Sequence, residues 1–227
     1  MKSFVAVALL WGGAFFPSPR VQAAEHCEKF GECIQQVLNH QAPADRVLYA
    51  TQALQRWSPE VPQRDLLNVL KLRGEALIAL HLTGTVPDLD PLHHATSDYQ
   101  RFLELDPEHW LPLSGLGRIA ELRENFGDAE AFFNRSVKTG KSRAYAARGA
   151  FYARQQRWKS ATEDFAQSLR RDEQDQKRDM GMPSAERAEV YYLRGLAYGQ
   201  MKQALDERLD FESACKLGHG EACEALK

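Results

Sequence analysis

Apolar side chains recur at steps of three and four residues along most of this chain, which is the period of an amphipathic α-helix. In the segment RWKSATEDFAQSL, for example, Trp158, Ala161 and Phe165 fall on one face. Stretches of alternating β-branched residues bounded by hairpin turns, which would indicate strands, do not occur in the sequence. The pattern therefore predicts an all-α fold.

One short pattern occurs four times, each time as a glycine inside an apolar helical segment with an apolar residue three positions later. A glycine within a helix costs about 1 kcal/mol of helix propensity, so its recurrence indicates that another helix approaches closely at that point. We expect Ala129 and Ala161 to provide the small facing surface, and nearby aromatic side chains to fill the space between layers. The four glycines are Gly74, Gly117, Gly149 and Gly195.

These four copies resemble the tetratricopeptide repeat (TPR) family, whose first helix carries Leu-Gly and whose second carries alanine followed by an aromatic residue. GLGRIAEL with FGDAEAFFNRSV, and ARGAFYA with RWKSATEDFAQSL, match best, and the resemblance covers about residues 65–227. It implies an α-solenoid of stacked antiparallel helix pairs coiled into a right-handed superhelix. Because one pair cannot bury its apolar face alone, stability is shared between neighbours.

The repeat domain is assigned to residues 61–227, with inserts at 81–94 and 172–183. The second insert carries many charges and ends in Gly-Met-Pro, so we expect a solvated loop there. Residues 24–60 contain two further amphipathic segments joined by QAPA. We expect them to form an N-terminal helix pair, either a decayed repeat or a cap.

Two Asp-Pro pairs are typical helix starts, because aspartate caps the first turn and proline fits the first helical position. The first is Asp90-Pro91, and the second is Asp106-Pro107. We therefore predict that a helix begins after each aspartate.

The first 23 residues have the features of a secretory signal. Lys2 precedes an apolar run from Phe4 to Phe16, and small residues follow at 21–23. This run is shorter than the roughly 20 residues that span a bilayer as a helix. We expect cleavage after Ala23 and a periplasmic or secreted protein. The alternative is an uncleaved segment that tethers a subunit of an envelope complex.

The formal net charge of −2 argues against an electrostatic nucleic-acid binder. The four cysteines suggest two disulfides in an exported chain, and of the three possible pairings the spacing favours the two local ones. On one straight helix Cys27 and Cys33 would lie about 9 Å apart along the axis, beyond disulfide reach. Their pairing needs a bend, for which Gly31 is the candidate.

The C-terminal segment ACKLGHGEAC resembles the hairpins of Sel1-like relatives of TPR proteins, in which cysteines at helix ends pair. The resemblance implies that Cys215 and Cys223 join the last repeat to a short closing helix. Gly218 and Gly220 would make the turn, and we expect His219 to be exposed between them.

The alternative function is a metal-binding protein or an enzyme that uses the first insert at 81–94, because histidine and carboxylate side chains suit divalent ions. The spacing matches no zinc signature, and the chain has neither a haem-attachment motif nor a CxxC redox motif. KTGKS at 138–142 lacks the glycine spacing of a phosphate loop, so we interpret it as a turn. The metal candidates are His81, Asp88, Asp90, His93 and His94.

No residue is assigned a catalytic role, and no cofactor is expected. The resemblance implies a non-enzymatic module whose concave surface holds a protein or peptide partner, with no nucleic acid and no membrane span in the mature chain. Arginines in the groove would grip carboxylates of that partner. The expected lining residues are Lys71, Glu75, Arg118, Glu121, Arg143, Arg154, Tyr192 and Gln200.

Three further arginines precede the repeat glycines, at Arg73, Arg148 and Arg194. Their regular spacing favours a structural role. We expect the aliphatic stem of each to pack on the next helix while the guanidinium remains in water.

Overall fold

The computed structural model describes residues 27–84, 90–177 and 181–227. Within these residues the chain forms eleven α-helices and no strand, which confirms the all-α prediction. No helix in this part of the chain is both long enough and apolar enough to cross a membrane. The predicted signal segment lies outside the described residues.

The helices follow one another with short connections. An N-terminal hairpin is followed by four helix pairs and a final short helix. The bounds are α1 Phe30–Asn39, α2 Pro43–Arg56, α3 Gln63–Thr83, α4 Pro91–Leu105, α5 Trp110–Leu122, α6 Phe126–Lys138, α7 Ser142–Arg154, α8 Trp158–Gln176, α9 Ser184–Gln200, α10 Ala204–Lys216 and α11 Gly220–Ala225.

Packing is sequential, because each helix contacts the next along the whole chain. The first helices of neighbouring repeats also contact each other, namely α3 with α5, α5 with α7, and α7 with α9. This arrangement is that of an α-solenoid in which α3, α5, α7 and α9 form the inner row.

Each repeat glycine faces an aromatic ring of the second helix of its own pair. A Cβ atom added to Gly149 would lie 2.9 Å from the ring of Phe165 and 3.3 Å from the backbone oxygen of Ala161. The predicted close approach is therefore present, but aromatic rings rather than alanine side chains meet the glycine. The pairs are Gly74 with Tyr99, Gly117 with Phe133, Gly149 with Phe165, and Gly195 with Phe211.

Of the two predicted helix starts, one is confirmed and one is wrong. Asp90 caps α4, since its carboxylate accepts a hydrogen bond from the backbone N–H of His93 at 3.1 Å. Asp106 instead ends α4, because its backbone N–H donates to the carbonyl of Phe102 at 2.9 Å. The next helix starts after His109, whose ring nitrogen accepts from a backbone N–H of the first turn.

Both predicted inserts are shorter than expected. Helix α3 continues to Thr83 and ends at Gly84, which adopts a left-handed φ of 66°. Helix α8 continues to Gln176, so the second insert does not begin as a solvated loop. Asp172 is fully buried there, because its carboxylate accepts hydrogen bonds from the backbone N–H of Met182 and from the side chain of Gln176. Asp172 thus holds the segment before α9 against α8.

The two local disulfides form as predicted. Cys27 and Cys33 have a Cα–Cα distance of 5.2 Å. The bend is not at Gly31, which lies inside α1, but at Lys29, whose extended backbone places Cys27 ahead of the helix. Cys215 and Cys223 join α10 to α11 with a Cα–Cα distance of 4.8 Å, as the Sel1-like resemblance implied.

The repeated arginines do not keep their guanidinium groups in water. In the third repeat, Nε and Nη2 of Arg148 donate to the two carboxylate oxygens of Asp164 at 2.7 and 2.8 Å. Asp164 is buried, so it needs a charged partner close by. The same bidentate pair is made between first and second helix in two other repeats, by Arg73 with Asp98 and by Arg194 with Asp210.

Candidate protein-interaction groove

An open groove of about 550 Å³ lies on the inner side of the solenoid between α7 and α9, and we call it the α7–α9 groove. Trp110, at the start of α5, borders one end. Its apolar surface comes mainly from short and branched aliphatic side chains. The complete lining is Trp110, Arg143, Ala146, Met182, Ala185, Glu186, Glu189, Val190 and Leu193.

Helical periodicity explains why these side chains share a wall. On α9, Glu186, Val190 and Leu193 follow one another at steps of four and three, which places them on one helix face. On α7, Arg143 and Ala146 are three residues apart and face α9 across the groove. Met182 completes the floor, since its backbone is held by the buried Asp172 described above.

Three charged side chains line the groove, namely Arg143, Glu186 and Glu189. Nε of Arg143 on α7 donates to Glu186 on α9 at 2.6 Å, so this ion pair bridges the two walls. Glu189 lies 3.0 Å from Nε2 of His219, within hydrogen-bond distance. The rim of the groove therefore carries one bridging ion pair and one further carboxylate.

A second charge cluster lies at the C-terminal ends of α5 and α7. Glu121 is buried and accepts two hydrogen bonds from Arg154, at 2.7 and 2.8 Å, and one from Arg118 at 2.8 Å. Burial alone would raise the pKa of Glu121, but the hydrogen bonds from Arg154 and Arg118 outweigh it and hold the pKa below its usual range. The carboxylate stays ionised and joins the second repeat to the third.

Glu75 has the opposite electrostatic environment. Loss of water around its carboxyl is the main effect and raises its pKa, although Lys71 and Arg46 act against it. Glu186, on α9, adds a repulsive contribution. The side chain is still 41% exposed, with its carboxylate 4.0 Å from the Lys71 ammonium.

The predicted lining residues are divided among several places. Only Arg143 lines the α7–α9 groove. The predicted basic stripe is a set of ion pairs, because Glu121 binds both Arg118 and Arg154, and Glu186 binds Arg143. Lys71 and Glu75 pair with each other on α3.

The remaining two predictions lie near the C-terminus. The ring of Tyr192 stacks on His219 with a centroid distance of 4.2 Å, and Gln200 is exposed at the end of α9. The expectation of an exposed His219 is wrong, since only 15% of its side chain is accessible. Its Nδ1 accepts from the backbone N–H of Ala222 at 3.3 Å and so caps α11.

The apolar lining, notably Trp110, Met182 and Val190, was not predicted from the sequence, where mainly charged residues were expected at the inward-facing positions. The α9 periodicity contained the missing signal, because Val190 and Leu193 share a face with Glu186.

The metal candidates do not come together in the part of the chain that the structure describes. No group of three or more histidine, cysteine or acidic side chains there could hold an ion. His93 and His94 are exposed in the first turn of α4, and Asp90 is used as its cap. Asp88 lies outside the described residues.

Comparison with known proteins finds similar folds among solved structures but no matching family profile or curated sequence. Among solved structures, MamA 41-end from Desulfovibrio magneticus RS-1 superposes with a TM-score of 0.51 at 15% identity, covering 85% of this chain and 97% of that one. The fold is TPR-like.

A second structure, the MamA RS-1 ArsTM double mutant, gives a TM-score of 0.52 at 14% identity over 85% of this chain and 94% of that one. A tetratricopeptide repeat protein from Parabacteroides merdae superposes with a TM-score of only 0.30 at 18% identity, over 87% and 97% of the two chains, so it does not bear on the fold. The TPR-like fold agrees with the repeat pattern and with the row of first helices on the inner side.

Proposed function

We propose that this protein is an exported, non-enzymatic interaction module whose TPR-like solenoid binds a protein or peptide partner in the periplasm or cell envelope. The observation that carries the proposal is the α7–α9 groove. It is open, about 550 Å³ in volume, and lies on the inner row of helices. Its volume falls in the range of known ligand sites, and its open side admits a segment of chain.

The chemistry of the inner side supports binding rather than catalysis. Two carboxylates there are bound by arginines, Glu121 by Arg118 and Arg154, and Glu186 by Arg143. A general acid or base needs a proton-transfer group that faces a substrate and is not committed to a structural partner. The buried carboxylates instead hold helices together.

Export is supported by two independent features. The first is the signal-like segment at residues 1–23. The second is the presence of two disulfides near opposite ends of the solenoid, because such bonds persist in oxidising compartments. N-terminal sequencing of the protein recovered from the envelope fraction tests this part. We expect the mature chain to begin at Ala24, whereas an intact Met1 on exported protein would favour a membrane tether.

Site-specific photocrosslinking in the native host tests the interaction. A photoreactive phenylalanine analogue is placed at Ala146 in the groove or, as a matched control, at Ala131, which is exposed on α6. We expect a discrete crosslinked species from position 146 and none from position 131. Equal labelling at both positions, or none at either, would count against a partner in the groove.

A further inference from the structure

The α7–α9 groove has an apolar floor with charge only at its rim. Met182 and Val190 are 5% and 4% exposed, and Ala146 and Leu193 beside them are half-buried. All four line the groove, so its base is apolar, and the accessible part of that surface belongs mainly to the less buried Ala146, Leu193 and Ala185. Burial of apolar side chains against this surface removes it from water, which is the main source of binding free energy for such surfaces.

The charges around this floor are well exposed to water, since the side chains of Arg143, Glu186 and Glu189 are 35%, 48% and 54% accessible. A carboxylate from a partner would compete with Glu186 for Arg143, whose ion pair has a length of 2.6 Å. A cation from a partner would compete with Arg143 for Glu186, or meet the exposed carboxylate of Glu189. Ion pairs between water-exposed side chains add little free energy, so neither contact supplies much of the binding.

We infer that the partner's contribution to this site is an uncharged peptide segment whose aliphatic or aromatic anchor side chain sits between α7 and α9. The inference rests on the proposed function and specifies its chemistry. The groove is open on one side and its volume exceeds that of a single side chain, so residues flanking the anchor cover it. The Arg143–Glu186 pair remains intact as part of the wall.

Selection from random short peptides displayed on phage tests this chemistry against the full chain. We expect the enriched peptides to share a Leu, Met, Phe or Trp position and to show no enrichment in Asp or Glu. Affinities of synthetic copies are then measured by fluorescence anisotropy. Between about 0.1 and 1 M salt, where the screening length falls from about 10 to about 3 Å, their affinity should not decrease.

Three variants locate the site and separate charge from apolar contact. Ala185→Glu places a charge in the groove, and its position in the first turn of α9 favours an acid, so folding is preserved. It should weaken binding by about 10- to 100-fold, the effect of losing one buried anchor. Ala146→Glu should do the same from the opposite wall. Ala131→Glu, on the exposed side of α6, is the matched control and should change nothing.

The charge-swapped double variant Arg143→Glu/Glu186→Arg gives the sharpest test, because it keeps an ion pair across the groove and reverses its direction. We expect the selected peptides to bind it as they bind the parent.

Loss of binding, or enrichment of acidic peptides with salt-sensitive affinity, would overturn the apolar-anchor inference and leave the proposed interaction function standing. If Ala185→Glu and Ala146→Glu bind the peptides as tightly as the parent does, the peptide site lies elsewhere and the inference is wrong. If no peptide is enriched against the parent chain, the inference fails, and crosslinking at Ala146 decides the proposed function separately. Self-association through the groove would also overturn it, and would appear as a concentration-dependent mass that Ala185→Glu abolishes.

Discussion

The second and third repeats solve the same packing problem with different chemistry. In the third, Arg148 precedes the repeat glycine and pairs with Asp164, which precedes the aromatic residue of the second helix. The corresponding positions of the second repeat are Leu116 and Phe132, which belong to one apolar cluster. The glycine and the aromatic residue are 16 positions apart in both repeats. The repeat architecture therefore accommodates an ion pair in one copy and an apolar pair in another.

The difference shows what the ion pair contributes. A buried pair gains little over a well-packed apolar pair, because both charges must leave water first. Once Asp164 is buried, however, Arg148 becomes obligatory, since an unpaired buried carboxylate is very unfavourable. Pairing is thus a consequence of the aspartate and not a requirement of the repeat.

The largest expected effect is that of removing one member of the pair. Asp164→Ala should lower the free energy of unfolding by about 3 kcal/mol, at the low end for a broken buried pair because 20% of the Arg148 side chain remains accessible. Urea unfolding followed by circular dichroism measures it. Glu163→Ala, at the neighbouring exposed position of α8, should change the free energy by less than about 0.5 kcal/mol. Equal effects of the two variants would refute the structural role of the pair.

Substitution of the repeat glycine, which both repeats contain, should destabilise the protein nearly as much. Gly149→Ala places a Cβ 2.9 Å from the Phe165 ring, and the resulting overpacking should cost about 1–3 kcal/mol. Gly127→Ala, in the first turn of α6, meets no heavy atom within 4 Å and should instead stabilise by about 0.5 kcal/mol. Thermal unfolding of both variants distinguishes close packing from helix propensity. Stabilisation by Gly149→Ala would mean that the aromatic ring moves aside easily.

A smaller change in stability is expected when the ion pair of the third repeat is replaced by the leucine and phenylalanine found in the second. The double variant Arg148→Leu/Asp164→Phe should have a free energy of unfolding within about 1 kcal/mol of the parent. Together with the single variants it completes a double-mutant cycle, and we expect strong coupling between the two positions. A double variant as unstable as Asp164→Ala alone would show that the repeats are not interchangeable.

The smallest effect concerns the ion pair that joins these two repeats. The pKa of Glu121 is lowered in the folded state, so its stabilising effect is complete above the ordinary pKa of a glutamate and is lost as the pH falls through the lowered one. Arg154 is 41% exposed, which limits the size of the effect through solvent screening. Stability measured between neutral and acidic pH should fall less steeply in Glu121→Gln than in the parent. Parallel curves would exclude Glu121 as a contributor.

Much of the fold could be predicted from local features of the sequence. The repeat glycines and the two local disulfides could be predicted because each depends on residues close together in the chain. Helix ends were less secure, as Asp106 shows, because one aspartate can end a helix as readily as start the next. The outcome there depends on whether its backbone N–H still finds the carbonyl of Phe102.

The candidate groove was predicted less well. Arg118 and Arg154 are inward-facing cations in the sequence, and only the structure shows that both bind Glu121. The carboxylate is 33 residues from Arg154, so no periodicity within one helix connects them. Two arginines predicted to contact a partner therefore form ion pairs within their own chain instead.

The helices could be read from the sequence because hydrophobic periodicity acts over a few residues, and resemblance to known repeats implied their pairing and the C-terminal disulfide. Which charges are neutralised and where apolar surface remains exposed depends on contacts between distant parts of the chain. Arg143 and Glu186 are 43 residues apart in the chain but 2.6 Å apart in the folded protein. The stacking of successive repeats brings such residues together. The lining of the groove therefore arises from packing between repeats rather than from any local motif.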